Sequence, residues 1–140
     1  MIYVDTSVLI ALFLNEDKSA AVSRWYVACA DELVAAVWCV AEFASALSIK
    51  LRTGQIDEPG QRRAWQQFER MCANDLVLLP LEPRTFHRAA VLTLDASSGL
   101  RAGDALHLAA ALDAKARGMA TLDTVLAGNC RRMKLKLMPL

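Results

Sequence analysis

Paired cysteines, long apolar runs and an excess of charge of either sign are all missing from this chain of 140 residues. The four cysteines, Cys29, Cys39, Cys72 and Cys130, form no C-x-x-C pair. That excludes the usual zinc and redox spacings and leaves four reduced, mostly buried thiols as the expectation. The longest unbroken apolar stretch, Leu33 to Ala41, is nine residues. A bilayer needs roughly twenty, so no membrane association is expected. Six glycines and four prolines exclude collagen-like and low-complexity sequence. The opening MIYVD has an acid at position 5 and no basic segment, which argues against a signal peptide and for a cytoplasmic protein. Lys plus Arg number 16 and Asp plus Glu 15, a net charge of +1. The sum announces no nucleic-acid partner, but acids gathered at one site would mask an equal number of surface cations. What is present is apolar: 55% of residues are hydrophobic, which excludes disorder. The length suits a single domain, 1–140, with one substantial core.

Periodicity reads as strands separated by helices. Met1 to Val4 is a short strand, followed by three good helix N-caps, Asp5, Thr6 and Ser7. Val8 to Leu14 is apolar nearly all round, a buried helix. Further helices are expected over Ser19–Cys29, over Trp38–Arg52 with a stop at Gly54, from Asp57 through Cys72, and from Pro83 to about Asp95. A sixth opens at Gly103-Asp104 and is closed by Gly118. The remaining strands are Leu33–Val37, Leu76–Leu79, Met119–Leu122 and the alternating Met133–Met138, with one helical turn over Asp123 to Gly128. This order implies parallel β-α-β units in a three-layer α/β/α fold with a mostly parallel sheet of four to five strands. Lys134 and Lys136 fall on one face of the last strand, a common protection for an edge.

Ligands bind outside the carboxyl ends of parallel strands, so the residues just after each strand carry most weight. Two strands run into an acid, MIYV-Asp5 and MATL-Asp123. Asp104 opens a helix after the Ser97-Ser98-Gly99 loop. Glu42 interrupts the apolar WCVAEFASAL and lies on the helical wheel opposite Val40, Phe43, Leu47 and Leu51, with Ser45 and Ile49. Each acid has an ordinary reading: a helix cap for Asp5, a first-turn acid for Asp104, a turn residue for Asp123, an exposed glutamate for Glu42. Together they can converge at one end of one sheet. Clustered carboxylates repel unless a cation sits among them, and hard ions such as Mg²⁺ and Mn²⁺ favour oxygen ligands of this kind.

Four segments in order carry a family resemblance. MIYVDTSVLIALF resembles the opening of the PIN-domain ribonucleases, particularly the VapC toxins of type II toxin–antitoxin pairs. WCVAEFASAL, LRAGDALHLAAAL and MATLDTVL resemble the segments that bear that family's later acids. One residue departs from the pattern: Gly103 precedes Asp104, where a bulkier side chain is frequent. The resemblance implies a PIN-like fold and a Mg²⁺-dependent endoribonuclease, with Mn²⁺ as a possible substitute. Asp5, Glu42, Asp104 and Asp123 would be the catalytic, metal-binding acids, Asp5 and Asp104 the firmest ligands. Thr6 or Ser7 would support them by hydrogen-bonding a carboxylate or a water on the metal. It further implies an RNA substrate cut to 5′-phosphate and 3′-hydroxyl ends, a small cognate antitoxin bound over or near the site, and a homodimer.

Other residues have plainer readings beside functional ones. Arg101 precedes Asp104, where a cation meets an RNA phosphate, though a solvated loop arginine is equally ordinary. His107, three residues after Asp104, is either a partner of the metal site or a packed, hydrogen-bonded histidine. Trp65 reads as core. Two alternatives compete with the nuclease: a non-catalytic PIN-like module that only binds RNA or protein, and a phosphotransfer or receiver-type α/β domain. The second lacks its pattern here, since Asp5 is followed by Thr6-Ser7 rather than x-Asp, and Lys134 is poorly placed for a receiver lysine.

Overall fold

A computed structural model describes residues 1–140. Five strands, β1 (Ile2–Val4), β2 (Leu33–Ala36), β3 (Leu76–Leu79), β4 (Gly118–Ala120) and β5 (Lys136–Leu137), pair in the order β3-β2-β1-β4-β5, and every pairing is parallel. Seven helices connect them: α1 (Thr6–Phe13), α2 (Ser19–Ala28), α3 (Trp38–Arg52), α4 (Glu58–Asn74), α5 (Pro83–Leu94), α6 (Ala102–Asp113) and α7 (Thr124–Arg132). None is long and apolar enough to cross a membrane. The expected α/β/α architecture is therefore present, with an all-parallel sheet.

The two-residue period of a strand divides the side chains of β1 between two cores. Ile2 and Val4 enter a cluster with Val8 and Leu9 of α1, Phe43 and Leu47 of α3, and Phe68 of α4, where the Phe43 and Phe68 rings stack with centroids 4.2 Å apart. Tyr3 points the other way, into a cluster with Leu106, Leu108 and Ala109 of α6 and Leu126 of α7. So α1 to α4 cover one face of the sheet and α5 to α7 the other. Trp65 packs against the first cluster, as its helical position suggests.

The chain builds outward from β1 to β2 and β3, then returns to add β4 and β5 on the other side. The order reverses between β1 and β4, where Tyr3 is registered with Met119 and Val4 with Ala120. In open parallel sheets ligands bind beside such a reversal, here at the carboxyl ends of β1 and β4.

Several boundaries differ from the periodicity. Met133–Met138 does not extend throughout: α7 continues to Arg132, Met133 caps it, and Lys134 takes a positive φ of 59°. The alternation of MKLKLM fits a strand, but parallel pairing with β4 reaches only Lys136 and Leu137. The short turn expected after Asp123 is thus a nine-residue helix. Gly118 does not close α6, which ends at Asp113 and turns through Lys115, φ 54°. Gly118 instead opens β4 against Ile2, where an added Cβ would lie 2.5 Å from the Met138 side chain and 3.1 Å from the Lys136 carbonyl oxygen. The glycine is required by close approach of the edge, not by a helix end. Loop Ser97-Ser98-Gly99 holds a 3₁₀ turn over Ala96–Ser98.

Candidate active site

Asp5 ends β1 and caps α1. Its carboxylate is buried, with 3% exposure. Oδ1 accepts from the Ser7 hydroxyl at 2.6 Å and the Val8 N–H at 3.3 Å, and Oδ2 accepts from the Thr121 hydroxyl at 2.7 Å. Ser7 and Thr121 are themselves fixed, accepting from the Leu122 N–H at 2.9 Å and the Asp123 N–H at 3.0 Å. Burial pushes the Asp5 carboxyl above the usual aspartate range, and those hydroxyl donors only partly offset it. The extended residues after β4 thus stitch Asp5 to the start of α7, which Asp123 caps by accepting from the Leu126 N–H at 2.7 Å. The sequence pattern places Asp123 at a strand end; the structure separates it from β4 by Thr121 and Leu122.

Glu42 projects from α3, opposite the face that buries Phe43 and Leu47, with Ser45 and Ile49 exposed beside it. Its Oε1 accepts from the Thr6 hydroxyl at 2.6 Å and is hydrogen-bonded to His107 Nε2. Burial opposes its charge, but His107, Thr6 and the Trp38 indole together hold its carboxyl below the usual glutamate range. Thr6 and Ser7, adjacent in sequence, therefore serve different carboxylates.

His107 is 2% exposed. Its Nδ1 lies 2.8 Å from the Tyr3 hydroxyl, which accepts from the Ala36 N–H at 2.9 Å. Burial raises the Tyr3 hydroxyl far above its ordinary range and keeps it protonated. Having accepted from Ala36, that hydroxyl donates to Nδ1, which leaves the proton on Nε2 to be given to Glu42. A chain of hydrogen bonds thus runs from the end of β2 through β1 and α6 to the carboxylate on α3. It ties the two helical layers together across the carboxyl ends of β1 and β2.

Asp104, in the first turn of α6, is partly exposed and accepts no side-chain or capping hydrogen bond. Its carboxyl stands above the usual range, first through burial, then through the charges of Asp123, Asp5 and Glu42, with His107 acting in the opposite direction. The four acids thus stand on four helices, Asp5 and Asp123 as N-caps of α1 and α7, Asp104 in the first turn of α6 and Glu42 on α3. No three of the His, Cys, Asp and Glu side chains gather at metal-holding separation; Asp5, Glu42 and Asp123 are each drawn onto protein donors. Arg101 caps α6 without a side-chain hydrogen bond and stands exposed.

Gly103 has a steric reason. A Cβ there would lie 3.0 Å from Glu42 Oε2 and 3.4 Å from Trp38 Nε1, so a bulkier residue would displace the carboxylate. Gly103→Ala is expected to hold thermal stability within a few degrees, since alanine favours the helix by up to about 1 kcal/mol. Any activity that depends on Glu42 should fall several-fold, and paired melting and turnover measurements check this.

Periodicity does not point to Tyr3, Trp38 or Thr121. Tyr3 and Trp38 sit inside apolar runs, and Thr121 two residues before an acid has no pattern to mark it. Only His107 carries a signal, its three-residue offset from Asp104, and the structure makes it both packed and hydrogen-bonded to the site.

A sequence model described as the PIN domain matches residues 2–130. No curated protein matches the sequence. Among solved structures, the fold is similar to VapC20 of Mycobacterium tuberculosis, titled a sarcin–ricin-loop-cleaving toxin, with a TM-score of 0.77 at 14% identity over 92% of this chain and 95% of that one. It is also similar to VapBC2 of Rickettsia felis, solved with a promoter DNA fragment: TM-score 0.67, 15% identity, 99% and 98% coverage. A toxin–antitoxin complex from Klebsiella pneumoniae gives 0.60 at 17% identity, covering 89% of this chain and 88% of its own.

Proposed function

This chain belongs to the PIN domain family, and from that premise we propose that it is a divalent-metal-dependent endoribonuclease, the toxin of a type II toxin–antitoxin pair. PIN domains are generally nucleases. The observation that carries the reading is the placement of the acids at the topological switch of the sheet: Glu42 lies against Gly103, next to Asp104, and Asp5 is tied through Thr121 to the segment that ends in Asp123. Proteins avoid gathering carboxylates without a use for them, because repulsion and burial both oppose the charged forms.

The donor set fits Mg²⁺ or Mn²⁺, which take oxygen ligands. Asp5 and Asp104 are the principal ligands in this reading, with Glu42 and Asp123 completing the set. A bound ion supplies Lewis-acid stabilisation of phosphate charge and acidifies water. The protein's part is orientation. Ser7 and Thr121 fix both oxygens of Asp5, Thr6 and His107 fix Glu42, and Asp104 is left free to turn toward a cation. Arg101, unpaired at the rim, meets the RNA backbone. The partners in this reading are RNA, a second copy of the chain and a small antitoxin, in the cytoplasm. The neighbouring toxin–antitoxin structures support the antitoxin by likeness of fold.

The test is cleavage of RNA by purified protein. We expect cutting with Mg²⁺ or Mn²⁺, arrest by EDTA and recovery on adding the ion back. Full activity in EDTA from a preparation free of other nucleases overturns the metal reading. The toxin role has its own assay: expression alone should stop bacterial growth, and a small protein encoded beside it should restore growth. Normal growth at high levels of soluble, RNA-cutting protein refutes that role and leaves the nuclease.

A further inference from the structure

We infer that Trp38 is a stacking platform for an unpaired nucleobase of the substrate, beside the phosphate to be cut. The inference rests on the nuclease reading and adds to it the residue that holds the base.

The chain has three tryptophans. Trp25 and Trp65 pack against the core beneath the sheet, and Trp65 lies against the rings of Phe43 and Phe68. Trp38 makes no ring–ring pair with another aromatic and is 37% exposed. Leaving that much indole in water forfeits the burial energy for which tryptophan is ordinarily placed.

Its position explains the exception. Trp38 is the first residue of α3, two positions beyond the end of β2, at the same end of the sheet as the acids. The ring is held rather than loose. Its Nε1 and Glu42 Oε2 both face Gly103, at 3.4 and 3.0 Å from where a Cβ there would stand. The absent side chain at 103 makes room for the edge of the indole. An edge seated over Gly103 beside Glu42 leaves ring surface open to solvent next to the acids.

A pre-oriented, half-exposed aromatic beside a phosphate-processing site has the chemistry of single-strand recognition, since every base offers a π-face. The surroundings favour a nucleotide over a protein side chain. Val37 is the one large exposed apolar residue adjacent in sequence, and the other neighbours are Glu42 and the start of α6, where Arg101 offers a free cation to a flanking phosphate.

The experiment compares Trp38→Ala with Trp38→Phe. Both lack the indole N–H, so a difference between them reads the ring face alone. On a short single-stranded RNA with Mg²⁺, we expect KM for Trp38→Ala about tenfold or more above that for Trp38→Phe, the scale of one base–aromatic stack, with similar kcat. Abasic nucleotides placed one at a time around the cut should reveal one position whose loss costs wild type and Trp38→Phe about tenfold and costs Trp38→Ala nothing. In EDTA, where binding is read without cutting, the RNA should quench the tryptophan emission of wild type more than that of Trp38→Phe. Equal KM for the two variants in an enzyme that cuts RNA, or no such abasic position, overturns the inference and leaves the nuclease standing. Quenching of Trp38 by RNA in a protein that never cuts it refutes the nuclease and leaves the stack. Emission changed by a protein partner and not by RNA assigns Trp38 to that partner and overturns the inference.

Discussion

Asp104→Asn is expected to slow RNA cleavage on the order of a thousandfold while making the metal-free protein more stable by about 1 kcal/mol. The two effects have one cause. Asp104 accepts no hydrogen bond to lose, and its charge is opposed by burial and by Asp123, Asp5 and Glu42. Water at the half-open rim screens that repulsion, which keeps the stability gain small. A first-turn acid also gains a little from the helix dipole, which burial and the neighbouring carboxylates outweigh, since the carboxyl stands above its usual range. The sign of the pH dependence follows. A carboxyl raised in the folded state binds its proton more tightly there than in the unfolded chain, so it favours folding at low pH. That contribution fades as pH climbs from the ordinary aspartate range through the folded-state value. The advantage of Asp104→Asn over wild type should therefore be absent in acid and grow through that window to a plateau. Mg²⁺ should stabilise wild type by binding the folded form alone and stabilise the variant less. Thermal unfolding of both proteins across pH, in EDTA and in Mg²⁺, measures all of this. A variant less stable than wild type in EDTA, with equal response to Mg²⁺, would make Asp104 a helix-terminal acid and nothing more.

His107→Leu should lose in both respects. Leucine fills much of the same volume, but the buried Tyr3 hydroxyl is then without its acceptor, at a cost of roughly 1–3 kcal/mol. Glu42 keeps Thr6 and loses the donor that reaches it from α6. Groups that orient metal-site carboxylates are worth about 10- to 100-fold in activity or metal affinity, so a loss of that size is expected in cleavage and in Mn²⁺ binding alike. His107→Gln, which keeps an N–H near the Nε2 position, should recover part of it. Nitrogen NMR of the wild type should find the imidazole proton on Nε2. Cleavage and Mn²⁺ affinity within twofold of wild type in His107→Leu would reduce the network to packing.

The alternation of strands and helices was legible because each element carries its own signal: the Asp5 cap, the period of α3, the Asp57-Glu58-Pro59 opening of α4. Glu42 was legible for the same reason, since a helical wheel orients it without knowledge of any neighbour. The hydrogen-bond chain was not. Tyr3 and His107 are 104 positions apart, and Thr121 lies 116 from Asp5. Their pairing depends on which strands become adjacent, a fact that no local pattern encodes. At Gly118 and the last strand local preference loses to tertiary contact: glycine ends helices well, yet here it admits an edge strand, and a fully alternating segment is cut short by the left-handed turn at Lys134. Trp38 in an apolar run looks like core, yet in the fold it is 37% exposed.

The reversal of strand order between β1 and β4 also sets when the site can exist. Every parallel neighbour of β1 is distant in sequence, and β4 supplies its second edge only after more than a hundred residues have been made. Asp5 is made 116 residues before Thr121, which holds one of its oxygens. Helices α1 to α4 can gather around β1, β2 and β3 while synthesis continues. The site is completed only when β4 docks, a non-local step of the kind that slows folding. A nascent chain thus carries the first acid without the groups that position it until the segment after β4 has been made. Any chemistry that needs Asp5 held in place waits for that segment to dock.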